Sequence, residues 1–158
     1  MSGYLEVFVL IGIAMAATAL AFSAVSPYAS SLQGASVTLS DASIRQGTYV
    51  ALETLTVYNS GGPSATGLTV TTAGVPSSAD YCVSLVNPST MAVLSSTCPS
   101  VTVNPGSVQV AWTLPSGGGL MVELTITGSS FTVGSSYPVT VTTSVGSQAS
   151  LEVQVVPA

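Results

Sequence analysis

The chain of 158 residues carries one basic side chain, Arg45, six acidic ones and no histidine, giving a formal net charge of −5. A single cation leaves no electrostatic footprint for nucleic acid, and without His or Lys the Ser–His, Cys–His and Lys-base routes to catalysis are closed. Charged residues are 4% of the chain and apolar ones 47%, so Ser and Thr hydroxyls must take the place of charge on a folded surface.

The first predicted element is an apolar rod. No charged side chain lies between Glu6 and Asp41, and from Val7 to Val25 only Gly12, Thr18 and Ser23 are not outright apolar. Read as helix, such a run is about 30 Å long and matches the hydrocarbon thickness of a bilayer. The helix is expected from about Tyr4 to Gln33. Pro27 disfavours helix at Ser26, Tyr28 and Leu32 can continue one face, and Gly34 ends it. Three readings meet this segment: a cleaved secretory signal, a plain membrane anchor, and a helix that leaves the membrane to pack against copies of itself. No Lys or Arg precedes the run, which disfavours the signal and leaves the anchor without its usual basic flank. Gly12, Ala14, Ala16, Ala17, Ala19 and Ala21 put small residues on more than one face, which suits a bundle.

From Ala35 the period changes to alternation. Val37 and Leu39 alternate with Ser36, Thr38 and Ser40, and Leu68 and Val70 with Thr69 and Thr71. The same pattern recurs at Val108, Val110, Trp112 and Leu114, then at Leu120, Val122, Leu124 and Ile126. Tyr137, Val139 and Val141 follow, and then Leu151, Val153 and Val155. These runs predict half-buried antiparallel strands with an oily side and a hydroxyl-rich side. Between Val50 and Tyr58 the parity slips from Val50 and Leu52 to Leu55 and Val57, which predicts a bulge near Glu53-Thr54. Turn chemistry stands at Asn59-Ser60-Gly61-Gly62-Pro63, Asn104-Pro105-Gly106, Ser116-Gly117-Gly118-Gly119 and Val133-Gly134-Ser135-Ser136. Seven or more short strands so spaced predict a two-sheet sandwich of immunoglobulin-like architecture. The expected class is thus α+β: residues 1–34 an N-terminal hydrophobic helix, residues 35–158 a β-sandwich head.

Cys82 and Cys98 form an even pair in the head, and the expectation is a disulfide closing a loop of about 15 residues and pinning one local hairpin or loop. Asp41, Glu53, Asp80, Glu123 and Glu152 are isolated in the sequence and read as solvated surface acids. Trp112 shares its phase with Val108, Val110 and Leu114 and reads as core. Gly117-Gly118-Gly119 lies between strand patterns with no Lys after it, so no phosphate loop is expected. The expectation is a protein that is not an enzyme and needs no cofactor or metal. Its hydroxyls offer sites for O-linked sugar.

Glu6 at the head of an apolar helix, followed by a β-rich domain, resembles the type IV pilin superfamily, specifically the archaeal pilins and their archaellin relatives. In the bacterial branch a Glu stands fifth in the mature chain, and Glu6 is fifth when counting from Ser2. The resemblance implies a homopolymer: an extracellular filament for surface attachment, its subunits held in the membrane beforehand and handled by a pilus assembly machinery. It implies that Leu5, Glu6, Val7, Phe8, Leu10, Ile11, Gly12, Ile13, Met15, Leu20 and Phe22 form the subunit interface, with Glu6 paired to the α-amino group of a mature N-terminus. The alternatives are a membrane-anchored surface domain that binds a ligand through its loops, and a subunit of the archaellum filament.

Overall fold

The structure is a computed structural model, and it describes residues 34–158 apart from Val101. The expected helix over 4–33 lies outside the described residues, as do Glu6 and the expected contact residues from Leu5 to Phe22. Within the described residues there is no helix, hence none long and apolar enough to cross a membrane. The described chain is therefore all-β, which corrects the α+β class expected from the sequence.

Ten strands follow in chain order: β1 (Ser36–Gln46), β2 (Val50–Gly61), β3 (Leu68–Thr72), β4 (Asp80–Val86), β5 (Val93–Thr97), β6 (Thr102–Asn104), β7 (Ser107–Val110), β8 (Gly119–Thr127), β9 (Ser136–Thr142) and β10 (Gln148–Pro157). They do not form two separate sheets. The hydrogen-bonded order is β5-β4-β8-β2-β1-β10-β9-β3-β7-β6, one continuous sheet curled on itself. The joint is β10, whose first part pairs antiparallel with β9 over Gln148–Gln154. Its last residues pair parallel with β1 at Ile44↔Val155 through Gln46↔Pro157. A strand long enough to serve both halves keeps the ladder unbroken, and this corrects the two-sheet sandwich.

The inner faces share one core, to which β2 gives Leu55 and Val57, β8 Leu120 to Ile126, and β9 Val139 and Val141. The alternation expected for β3, β8 and β9 holds residue by residue. The expected slip in β2 does not exist. Its pairing with β8 runs without a break from Val50↔Thr127 to Tyr58↔Gly119. The inward phase is Ala51, Glu53, Leu55, Val57 and Asn59, while Val50 and Leu52 face solvent. The irregularity sits on the neighbouring strand, where Asp41 and Ala42 of β1 are the two residues between the pairs Ser40↔Thr56 and Ser43↔Thr54. Asp41 has φ 51° there, a left-handed conformation that Asp accepts more readily than most residues. Trp112 is half-buried against the core, and β7 stops before it at Val110.

Candidate functional site

The unbroken phase of β2 carries an acid into the core. Glu53 is 0% exposed and lies between two buried strand partners, Ile44 of β1 and Leu124 of β8. It had read as a surface acid. From the far half of the sheet, the Thr72 hydroxyl at the end of β3 reaches it, with Oγ1 at 2.8 Å from Oε2 and 3.0 Å from Oε1. Loss of hydration disfavours the charged carboxylate, and this burial pushes the Glu53 carboxyl up to about 7 against an opposing pull from Thr72. The signal was present in the sequence, because Ala51, Leu55 and Val57 share the Glu53 phase. An inserted bulge was the only way to keep that acid outside.

Tyr81 of β4 completes the cluster. Its side chain is buried, and its hydroxyl has no hydrogen-bond partner among the described residues. Burial and the nearby Glu53 charge push this hydroxyl up to about 12. The Gly106 backbone moderates that rise without reaching ordinary hydrogen-bond geometry. Tyr81 and Gly106 also line a surface cleft of about 230 Å³, together with Pro76, Ser77, Ala79, Asn104 and Pro105. The turn above it is held through Thr72, whose N–H donates to the Gly106 carbonyl at 2.8 Å. Gly106 has φ 80°, and a Cβ there would stand 2.5 Å from the Thr72 carbonyl oxygen, so only glycine fits this close approach.

The second feature is an edge. β5 is the outermost strand next to β4, and all five of its residues are exposed. Cys82 on β4 and Cys98 just after β5 are joined as a disulfide, with their Cα atoms 4.4 Å apart. The bond closes the open end of the β4–β5 hairpin. At the other end the chain turns on itself through Met91 N–H to Asn87 O and Asn87 N–H to Ala92 O. The opposite edge is β6, the next strand in sequence. On the outward phases, hydroxyls pair across strands: Ser43 with Thr54, Thr71 with Ser107, Ser84 with Ser96, and Thr140 with Ser150.

Of the remaining acids, Asp41, Asp80 and Glu152 are exposed and Glu123 is half-buried on the outward phase of β8. Taken together these features define a disulfide-bearing all-β domain with a buried carboxyl at its centre. No family model matches the chain, and no curated protein matches it. Solved structures do share its general course. BslA, a bacterial hydrophobin, aligns at TM-score 0.42 and 16% identity, covering 76% of this chain and 99% of that one. The archaellum periplasmic stator protein FlaG from Sulfolobus acidocaldarius aligns at TM-score 0.36 and 14% identity, over 75% and 99% of the two chains. The PmoF2 PCuAC domain in its apo form aligns at TM-score 0.42 and 14% identity, over 75% and 88%. At these values the likeness carries no argument about this chain.

Proposed function

We propose that this chain is a structural, non-enzymatic surface protein, the subunit of a homopolymeric extracellular filament of the type IV pilus class. The observation that carries the reading is the Cys82–Cys98 disulfide on an otherwise unprotected edge hairpin. Structural disulfides persist in oxidising surroundings outside the cytoplasm, and here the bond fastens the strand most open to solvent. Paired hydroxyls on the outward phases support the same reading. They keep the surface polar with few charges, so its solubility depends little on pH or salt. The apolar sequence from Val7 to Val25 supplies what the head lacks, an adhesive segment through which copies associate and by which the subunit is held at the membrane beforehand. The five head acids also favour a structural role, since Glu53 is sealed from any substrate and the other four are scattered over the surface.

Electron microscopy of material sheared from cells tests this reading. The expected result is helical filaments in which mass spectrometry finds this chain as the main component. Recovery of the chain only as detergent-extracted monomer favours the second reading, a membrane-anchored binding domain, for which the cleft beside Tyr81 is the supporting observation.

A further inference from the structure

The buried carboxyl is connected to a surface turn, and among the described residues it has no cation to hold its charge. Neighbouring elements bring it few polar groups. From β3 comes the Thr72 hydroxyl, and from β4 the Tyr81 hydroxyl stands near enough to feel its charge. Asp41 and Arg45 of β1, Asp80 of β4 and Glu152 of β10 are exposed, and Glu123 of β8 lies opposite Thr54 and Ser84 on the outward phase. Tyr137 of β9 has its hydroxyl at the Thr132 amide, 3.2 Å away. Among the described residues no basic side chain faces Glu53. A carboxylate offers about four lone-pair sites, and one Thr hydroxyl can donate to one of them. As a neutral acid Glu53 needs fewer donors than as an anion, and Thr72 is the one donor that reaches it among the described residues, while Tyr81 and Gly106 line a cleft open to solvent. Thr72 joins the two places, with its side chain on Glu53 and its backbone N–H on the Gly106 carbonyl.

We propose that Glu53, Thr72 and Tyr81 form a proton-operated latch: a neutral Glu53 keeps the Asn104–Gly106 turn and the 76–81 segment seated over the core, and an ionised Glu53 loosens both so that water reaches the carboxyl. The latch responds within the span between the ordinary carboxyl value of 4.5 and about 7, where burial places this group. The device is separate from the filament reading and stands or falls without it.

Hydrogen–deuterium exchange on the full chain in detergent micelles, at about pH 5 and about pH 8 and corrected for intrinsic exchange, tests it. Peptides covering 72–82 and 102–108 are expected to lose protection by roughly tenfold or more at the higher pH, while β8 peptides stay the more protected at both values. Glu53→Gln, a neutral side chain of the same shape, is expected to stay protected at both. Equal protection of the wild type at both values overturns the latch, and so does a loss that Glu53→Gln shares. Should that variant not fold, a carboxyl-carbon NMR titration of the wild type decides. A midpoint near 7 that tracks the loosening upholds the latch, and a midpoint in the ordinary glutamate range overturns it.

Discussion

At the residue scale, Glu53 makes the stability of the head depend on pH in a direction opposite to that of most paired carboxylates. Its folded value lies near 7 and its ordinary value at 4.5. Below 4.5 both the folded and unfolded chains hold the proton, and stability is at its full level. Between 4.5 and 7 the unfolded chain gives up the proton while the folded one keeps it, so each pH unit lowers stability by about 1.4 kcal/mol. Above 7 the loss levels off at about 3 kcal/mol. Chemical denaturation followed across this range should show the midpoint falling from acid to neutral. Glu53→Gln should flatten the curve and raise the neutral-pH stability toward the acid value. A wild-type curve that is flat or rises between those values contradicts this account of Glu53. A neighbouring residue gives a second check on the same region. Gly106→Ala places a methyl group 2.5 Å from the Thr72 carbonyl oxygen at a φ of 80°, and should cost about 2 kcal/mol at acid pH, where the turn is seated. Equal stability of Gly106→Ala and wild type would mean that the turn is not clamped to β3.

At the element scale, the β4–β5 hairpin is where a covalent bond replaces packing. β5 buries none of its residues, so side-chain burial does little to hold it on β4, and an exposed edge strand is a template for unwanted pairing. The Cys82–Cys98 bond fastens it with a sequence separation of 16. Reducing it, or changing both cysteines to Ser, should lower stability by about 3 kcal/mol. Urea denaturation with and without reductant measures this, and identical midpoints would show that the bond is ornamental. The same hairpin marks where sequence reading stopped. Tyr81, Val83 and Leu85 alternate as clearly as the strands that were legible, yet the cysteines alone marked this stretch, as a hairpin or loop to be pinned, and the structure shows the hairpin. Strands β3, β8 and β9 were legible because their inward phases hold only apolar residues and Thr72. β2 was misread because its inward phase holds Glu53, and hydropathy alone places an acid outside. The continuity of the sheet was illegible for a different reason. Pairing of Ile44 with Val155 is set by three-dimensional closure, and local periodicity carries no trace of a partner so distant in sequence.

At the scale of the whole molecule, the question is whether the head closes its own core or borrows a strand. In a donor-strand scheme, one strand position is empty and the core opens along a groove until a neighbour fills it. The described residues show the opposite arrangement, with ten strands of one chain in an unbroken order. Ile44, Leu55, Leu68, Leu114, Leu124 and Val141 come from strands and loops along the length of that order, and each is no more than 1% exposed. Gly34–Ala158 also forms one compact unit. A chain beginning at Gly34 should therefore be a soluble, β-rich monomer with a cooperative unfolding transition. Starting further in is less favourable, because the Ser147 hydroxyl donates to the Ala35 carbonyl and Ala35 itself is buried. Circular dichroism and light scattering on a sizing column test this directly. A truncated head that aggregates, and is rescued by adding a peptide of the missing segment, would show that the core is completed in trans. A monomer that unfolds in one step assigns folding to residues 34–158 alone.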